Sequence, residues 1–198
     1  MAGQILILAA GASRRMRGRD KLLEPVRGVP QLRRITTHAM QTGWPVLVTL
    51  PDLSHARAGV LADLGVRLVP VPDAAEGMGA SLRAGGAAHM GEGHFGPLMV
   101  LPADLPDLED ADLSAVIAAH KRSKDRIHCG ACGSRRGHPV ILPTWLVPEL
   151  ATLTGDQGAK ALIAAYADRI VLTPLAGQRA VLDLDTPEAW AAWRARRS

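Results

Sequence analysis

Five cationic side chains follow a small, glycine-containing turn close to the start of the chain. They come after Gly11-Ala12-Ser13 and are Arg14, Arg15, Arg17, Arg19 and Lys21. The turn follows an apolar run, where a strand would end and leave backbone N–H groups free to bind a ligand. Cations beside such a turn neutralise the charge of an approaching phosphate. The pattern predicts a site for a phosphate ester, and a solvated basic surface loop is the alternative interpretation.

A carboxylate in the middle of the chain could hold a divalent cation. Asp104 comes shortly after the apolar run 98–101, which has the composition of a buried strand. Mg²⁺ in proteins is bound by one or two carboxylates together with phosphate oxygens. Asp104 is therefore a candidate Mg²⁺ ligand. The next acidic residues are expected in a loop and in the first turn of a helix, with no chemical role: Asp107, Glu109, Asp110 and Asp112.

Two common phosphate-binding motifs are absent from the first turn. The dinucleotide-binding motif G-x-G-x-x-G needs a second glycine that the turn lacks. The Walker A motif needs a glycine where Met16 stands. The expected phosphate site is therefore of another type.

Strands and helices alternate in the first third of the chain. Three apolar runs predict buried strands: Ile5–Ala10, Pro45–Leu50 and Val66–Val71. The segments between them predict helices at Gln31–Gln41 and Ser54–Leu64, the second with Ser54 as its N-cap. This alternation implies right-handed crossovers and a parallel sheet.

The rest of the chain is expected to extend the same architecture. Further strands are predicted at Leu98–Leu101 and Ala180–Leu184, and further helices at Asp112–Ser123, Thr144–Leu150, Gln157–Tyr166 and from Pro187 onward. The end of the chain from Trp193 is expected to be a frayed, solvated helix end. We therefore predict an α/β fold with a doubly wound, mostly parallel sheet, in a single domain over residues 1–198.

Composition narrows the partners and the compartment. The chain has 198 residues, of which 47% are hydrophobic and only 3% aromatic, so an aliphatic core of the α/β kind is expected. Its formal net charge of +4 suits an anionic partner. Phe95 and Tyr166 are the only Phe and Tyr residues, which argues against nucleic acid. The absence of a long apolar run and of a signal-peptide pattern predicts a cytoplasmic protein without membrane contact.

The two cysteines form the pattern Cys129-Gly-Ala-Cys132. This spacing occurs in redox dithiols and in half of a zinc site. The second pair of zinc ligands is missing, and the surrounding stretch is extended rather than the start of a helix. We interpret both cysteines as small structural residues.

The first turn and its surroundings resemble a known family. Leu8–Met16, with Lys21 after it, resembles the signature L-A-[AG]-G-x-S-x-R-M-G plus Lys of the nucleotidyltransferases that attach a nucleotide to molybdopterin. One departure is that Arg17 follows Met16, so that the glycine comes at Gly18. Four later segments resemble the same family and extend the likeness as far as Trp190. They are G-M-x-x-S-L-x-x-G at 77–85, D-x-P at 104–106, G-H-P-V followed by G-D-x-G-[AS]-[RK] between 137 and 160, and D-x-D-T-P-E at 183–188.

The resemblance implies a fold and a set of site residues. It implies the Rossmann-like fold of nucleotide-diphospho-sugar transferases, with nucleotide binding in the N-terminal half and acceptor binding in the C-terminal half. The implied catalytic residues are Arg15, Lys21 and Asp104. The implied Mg²⁺ ligands are Asp104 and Asp185, with Asp183 as the second choice after Asp185. The implied nucleotide-binding residues are Leu8, Ala9, Ala10, Gly11, Ala12, Ser13, Arg15, Lys21, Gly77, Met78, Ser81 and Asp104. The implied acceptor-binding residues are His138, Asp156 and Lys160.

The resemblance also implies substrates. Ala10 and the segment Gly77–Leu82 match the cytidylyl members of this MobA-like superfamily better than the guanylyl members, which favours CTP with a molybdopterin-type acceptor. A molybdoenzyme or its chaperone would then be a further partner. Three alternatives stay open: a related transferase that uses GTP or another phosphorylated acceptor, a non-catalytic nucleotide-binding chaperone of a molybdoenzyme, and a nucleic-acid binder suggested by the isoelectric point of about 9.6 alone.

Overall fold

A computed structural model describes residues 2–91, 93, 96–155 and 159–197. Within these ranges the strands are β1 Gln4–Leu8, β2 Pro25–Val26, β3 Val29–Pro30, β4 Val46–Leu50, β5 Arg67–Pro70, β6 Leu98–Pro102, β7 Ile127–Cys132, β8 Arg135–Leu142 and β9 Ile170–Pro174. The α-helices are α1 Gln31–Gln41, α2 Ala56–Gly59, α3 Met78–Gly91, α4 Asp110–Arg122, α5 Lys160–Ala164 and α6 Pro187–Ala195. The 3-10 helices among the described residues are Arg14–Met16, Ala74–Glu76, Thr144–Thr152 and Ala167–Arg169.

The central sheet has seven strands in the order β5-β4-β1-β6-β8-β7-β9. Strands β5, β4, β1 and β6 are parallel neighbours, as expected for strands joined by crossovers. Strand β8 is antiparallel to both β6 and β7, because a tight hairpin joins β7 to β8, and β9 is parallel to β7. The predicted α/β fold with a mostly parallel sheet in one domain is confirmed.

The first strand lies in the middle of the core. Ile5, Leu6 and Ile7 are completely buried. Ile5 and Ile7 pack on one side with residues of α1 and α4, and Leu6 packs on the other side with α3. Both faces of the sheet are therefore covered, which explains why β1 is a continuous apolar run rather than an alternating one.

The predicted helix 54–64 is much shorter in the structure. The helix α2 covers only Ala56–Gly59, and its N-cap is His55, whose ring accepts a hydrogen bond from the backbone N–H of Arg57. Ser54 is not the cap, because its backbone N–H and hydroxyl both donate to the Asp52 carboxylate in the preceding turn. The prediction was wrong at both ends: the local side-chain turn delays the start of the helix, and residues 60–63 form turns rather than helix.

The predicted strand 180–184 is also wrong. Ala180 and Leu184 are held by single backbone hydrogen bonds rather than by a strand ladder: His138 N–H donates to the Ala180 carbonyl, and Leu184 N–H donates to that of Asp104. The sheet edge on this side is instead formed by β9, which the sequence analysis did not predict. The segment between β9 and α6 is not part of the sheet.

The chain end is better ordered than expected. Trp193 is only 4% exposed, stacks edge to face on Trp190 and donates a hydrogen bond from its indole N–H to Asp107. Arg197 pairs with the same carboxylate. The prediction of a solvated end was therefore wrong for Trp193, because two aromatic rings supply apolar area that fixes the last helix, whereas residues 195–197 are exposed as predicted.

Two further helices differ from their predicted form or bounds. The segment 144–152 is a 3-10 helix, and the helix expected at 157–166 is described as α5 from Lys160 to Ala164. Its expected start at Gln157 lies outside the described residues. In the part of the chain that the structure describes, no helix is both long and apolar enough to span a membrane.

Candidate active site

The basic loop begins where β1 ends. Ser13 and Arg17 adopt left-handed backbone conformations, with φ of 50° and 53°, on either side of the 3-10 turn Arg14–Met16. Met16 in this turn is fully buried in a cluster with Val26, Trp190 and other apolar residues. The left-handed residues reverse the chain direction, and the buried methionine anchors the turn to the protein. The cations of the loop are thereby held at the carboxyl end of β1.

A lysine at the end of this loop lies between two carboxylates. The Lys21 ammonium donates hydrogen bonds to Asp104 at 2.6 Å and to Asp185 at 2.7 Å. Each of the three side chains is less than one fifth exposed. Burial alone would lower the pKa of Lys21, but the charges and hydrogen bonds of the two aspartates raise it above the usual value. Lys21 is therefore protonated at neutral pH, and it neutralises part of the acidic charge.

A third carboxylate joins the two that Lys21 contacts. One oxygen from each of Asp104, Asp183 and Asp185 lies within 4.8 Å of the others. Burial and the neighbouring carboxylates raise the pKa of Asp183, whereas in Asp185 burial is outweighed by Lys21 and Arg15, which lower its pKa. Asp183, the second choice after Asp185 from the sequence, lies in the same carboxylate cluster as Asp185.

Two elements position these carboxylates. Asp104 comes two residues after β6, the strand next to β1, so that its side chain reaches the same sheet edge as the basic loop. Asp185 precedes Thr186, the N-cap of α6, whose hydroxyl accepts a hydrogen bond from the Ala189 N–H. The capped start of α6 and the end of β6 therefore fix the two aspartates independently of the loop that supplies Lys21.

Asp185 also pairs with an arginine of the basic loop, whose side chain is much more exposed than that of Lys21. Arg15 pairs with the second oxygen of Asp185 at 2.6 Å, but its side chain is 71% exposed. An exposed pair of this kind contributes little to stability. Arg15 can therefore turn from Asp185 toward an incoming anion at small cost.

A cavity of about 610 Å³ opens beside the carboxylate cluster. Its walls are mainly aliphatic and come from α3, α5 and the face of β6, β7 and β8. Asp104 and Asp183 lie on its lining, together with cationic residues of β8 and α5. The lining includes Met78, Leu82, Val100, Val140, Arg136, His138 and Lys160.

Comparison with known proteins decides the family. The profile of the MobA-like NTP transferase domain matches residues 5–170. The chain belongs to the MobA-like NTP transferase family. It is 32% identical over 197 residues to a molybdenum cofactor guanylyltransferase of Pseudomonas paraeruginosa, with 94% of this chain and 92% of that protein covered. It is 28% identical over 192 residues to the nicotine blue oxidoreductase of Paenarthrobacter nicotinovorans, with 92% of each chain covered.

Solved structures show the same fold. The crystal structure of Rv0371c from Mycobacterium tuberculosis superposes with a TM-score of 0.80 at 26% identity, and 97% of each chain is covered. A second structure of that protein, in complex with manganese, gives a TM-score of 0.77 at 23% identity over 97% of each chain. The resemblance to a MobA-like nucleotidyltransferase drawn from the sequence is confirmed at the level of the family.

In this MobA-like domain, the two segments expected to bind the nucleotide lie side by side. Ala10 of the first loop packs against Ala80 of α3 and against Val71. Gly77, just before α3, has a φ of 115°, which a residue with a side chain rarely adopts. The structure therefore brings the loop after β1 and the start of α3 together.

The other predicted nucleotide-binding residues differ in exposure. Gly11 and Ala12 are exposed, Leu8 and Ser13 are partly exposed, and Ala9 is buried. At the start of α3, Met78 is 46% exposed, whereas Ser81 is 5% exposed. The exposed members can contact a ligand directly, and the buried ones shape the loop and helix around it.

Two of the three predicted acceptor-binding residues lie among the described residues. His138 and Lys160 both line the cavity. Burial lowers the pKa of His138, and its Nδ1 atom has no hydrogen-bond partner among the described residues. Asp156 lies outside the described residues.

The two cysteines are free thiols in this MobA-like domain. Cys129 is buried in β7, where burial raises its pKa to about 11. The carboxylate cluster is the one group of three or more possible metal ligands within the described ranges, and it contains neither cysteine. A thiol with a raised pKa is a poor nucleophile and a poor metal ligand at neutral pH.

One buried arginine beside the basic loop was not predicted as a site residue. Arg57 of α2 is 1% exposed, and its guanidinium forms hydrogen bonds with the loop. A signal for it existed in the sequence, because Arg57 stands four residues before the apolar Leu61, on the same face of the predicted helix. An arginine on the buried face of a helix needs a specific partner.

Proposed function

We propose that this MobA-like domain transfers CMP from CTP to the phosphate of a molybdopterin-type acceptor and releases pyrophosphate. The observation that supports this most directly is the Lys21 ammonium, which joins Asp104 and Asp185 at 2.6 and 2.7 Å beside the basic loop. Anion-binding and cation-binding groups therefore meet at one point. Transfer of a nucleotidyl group between two anions needs that combination.

The reaction asks the protein mainly to neutralise and align charge. An oxygen of the acceptor phosphate forms a bond to the α-phosphorus of the nucleotide, and the bond from that phosphorus to the β-phosphate oxygen breaks. The electron pair leaves with pyrophosphate. The attacking phosphate is already ionised, so no general base is required. Lys21 and Arg15 are proposed to stabilise the charge that develops on the triphosphate.

The carboxylate cluster suits a hard divalent cation. Carboxylate oxygens are the ligands that Mg²⁺ and Mn²⁺ prefer, and the oxygens of Asp104, Asp183 and Asp185 lie within 4.8 Å of one another. We propose Asp104 and Asp185 as Mg²⁺ ligands, with Asp183 beside them. The bound cation would supply charge neutralisation at the reacting phosphates. The manganese complex of Rv0371c supports a divalent cation in a protein of the same fold.

The cavity is proposed to hold the acceptor. Its aliphatic walls suit a flat ring system, and Asp104 at its lining places one end of a bound molecule beside the carboxylate cluster. Lys160 and Arg136 are exposed and line the cavity, and neither forms an ion pair within the described residues. They are available for an anionic acceptor. The nucleotide would bind across the first loop and the start of α3.

CTP is proposed from Ala10 and from the G-M-x-A-S-L sequence at 77–82. GTP is the second candidate, because the relative from Pseudomonas paraeruginosa, at 32% identity, is named a guanylyltransferase. In either case the dinucleotide product would pass to a molybdoenzyme or to its chaperone. The proposed reaction uses the cytoplasmic nucleotide pool.

The test is a pyrophosphate-release assay. CTP, GTP, ATP and UTP are each supplied with Mg²⁺, with and without molybdenum-loaded molybdopterin. We expect release with CTP only when both the acceptor and Mg²⁺ are present, and loss of release on addition of EDTA. The Asp104→Asn variant should lose activity by at least about 10²-fold, because a carboxylate at the reacting phosphates is removed.

A matched control tests whether loss of any nearby carboxylate lowers the rate. Asp110→Asn removes a half-exposed carboxylate in the first turn of α4, outside the carboxylate cluster, and should leave the rate unchanged. Release with GTP in place of CTP would overturn the choice of base. Nucleotide binding without turnover for any nucleotide would overturn the transferase proposal and favour a non-catalytic nucleotide-binding protein.

A further inference from the structure

Arg57 connects the beginning and the end of the basic loop. One guanidinium nitrogen, Nη1, donates to the carbonyl oxygens of Ala9 at 2.5 Å and Gly11 at 2.8 Å. Nε and Nη2 each donate to one oxygen of the Asp20 carboxylate at 2.7 Å, and Nη2 also donates to the Ser13 hydroxyl at 3.1 Å. A single buried side chain from another helix therefore holds four points of the loop.

The same network reaches the catalytic lysine through the backbone. The Ser13 hydroxyl donates to Asp20 and accepts a hydrogen bond from the Lys21 N–H. Asp20 also accepts from the Leu22 N–H. The backbone on both sides of Lys21 is thus held, and Arg57 contacts neither Asp104 nor Asp185.

The charges in this network matter for an anionic ligand. Burial would raise the pKa of Asp20, but the hydrogen bonds and the charge of Arg57 lower it below the usual value, so Asp20 is ionised at neutral pH. Its charge lies beside the loop proposed to bind the triphosphate. Arg57 neutralises that charge and engages two carbonyl dipoles that would otherwise repel phosphate. Arginine suits this role because its planar fork donates in several directions at once.

We propose that Arg57 is a positioning residue for nucleotide binding, which sets the loop and Lys21 in the geometry that receives the triphosphate. This inference rests on the proposed function, because it takes the loop as the nucleotide site. The inference predicts that Arg57 affects nucleotide binding and leaves acceptor binding unchanged, since none of the residues that Arg57 contacts lines the cavity.

The experiment compares three variants with the wild-type chain: Arg57→Met, Arg57→Lys and the double variant Arg57→Met with Asp20→Asn. Dissociation constants for Mg²⁺–CTP and Mg²⁺–GTP are measured by calorimetry without acceptor, the KM for the acceptor by pyrophosphate release, and the thermal midpoint by circular dichroism. We expect Arg57→Met to weaken nucleotide binding by at least about tenfold. Arg57→Lys keeps a charge but loses the fork, and should be intermediate. The acceptor KM should change by less than about twofold.

The double variant distinguishes positioning from simple stabilisation. Removing the uncompensated Asp20 charge should restore the thermal midpoint, while nucleotide binding stays weak because the loop is no longer held. If nucleotide affinity returns together with the midpoint, Arg57 is only structural and the inference is wrong. If Arg57→Met itself does not fold, Arg57→Lys and the double variant provide the test.

A second arginine serves as a matched control. Arg33 also binds a backbone carbonyl, that of Val60, and a carboxylate, that of Asp63 in bidentate fashion, but it lies away from the loop. Arg33→Met should leave both nucleotide constants unchanged. Wild-type nucleotide binding without turnover would refute the transferase proposal but leave the effect of Arg57 measurable. No wild-type nucleotide binding at all would refute both.

Discussion

Lys21→Met should make the carboxylate cluster a tighter cation site while it stops the reaction. In the wild-type chain the Lys21 ammonium occupies oxygens of Asp104 and Asp185 that a divalent cation would use. Methionine keeps most of the length and the apolar part of the side chain but removes the charge. The substitution therefore separates two roles of Lys21, competition with the cation and stabilisation of the triphosphate.

The size of the effect follows from the two contacts. At 2.6 and 2.7 Å, and with an effective dielectric constant of about 20, each corresponds to an attraction of about 6 kcal/mol. Desolvation of the charges offsets most of it, and a hydrogen bond between charged groups contributes about 1.5–3 kcal/mol net. Relief of competition equivalent to one weak bond, about 1.4 kcal/mol, tightens cation binding about tenfold.

The assay is a titration with Mn²⁺ in which free Mn²⁺ is followed by electron paramagnetic resonance, without nucleotide. Lys21→Met should lower the Kd for Mn²⁺ about tenfold and reduce pyrophosphate release by about 10²-fold or more. Arg15→Met is the comparison, because Arg15 also pairs with Asp185 but is 71% exposed, and the Kd should change about twofold or less. An unchanged or higher Kd in Lys21→Met would refute the reasoning.

Three further predictions test the cavity, the packing beside it and the pH dependence. Arg136→Ala should raise the acceptor KM about fivefold or more and leave the nucleotide KM unchanged in steady-state kinetics, because Arg136 lines the cavity without an ion-pair partner in the described ranges. Gly137→Ala should lower the thermal midpoint and weaken Mn²⁺ binding, because the added Cβ would overlap the carbonyl oxygen of Ala180, whereas Gly91→Ala should do neither. Burial lowers the pKa of His120 to about 4, so the folded state resists its protonation and stability falls as the pH drops from 6.5 toward 4. His120→Leu should reduce the loss between pH 7 and 5, measured by urea unfolding, by about 2 kcal/mol, and an equal loss in both proteins would contradict this.

The elements around the site were predictable to different degrees. Helix α1 occupies the predicted residues, because its apolar positions recur with the helical period. Helix α2 was predicted far too long: Ser54 donates to the Asp52 carboxylate and does not cap the helix, and residues 60–63 form turns. Strand β9 was missed, because it is a partly exposed edge strand without the continuous apolar run of β1.

The candidate site shows the same division. Asp104 was predicted because a residue shortly after a central strand reaches the edge of the sheet where ligands bind. Asp183 was ranked after Asp185 from the sequence, but the structure groups both carboxylates with Asp104 in a segment that is not a strand. The position of Arg57 before Leu61 indicated that it is buried, but its partners in the loop lie 37 to 48 residues away and no local pattern identifies them.

The amino-acid sequence by itself determined the buried strand β1, the basic loop after it and the family to which the chain belongs. These features depend on residues close together in the chain, whose spacing records the local geometry. Only the tertiary structure decided that Lys21 meets Asp104, 83 residues away, and Asp185, 164 residues away. Such contacts are set by the order of strands in the sheet and by the path of the segment before α6. Neither of these is written in the spacing of neighbouring residues.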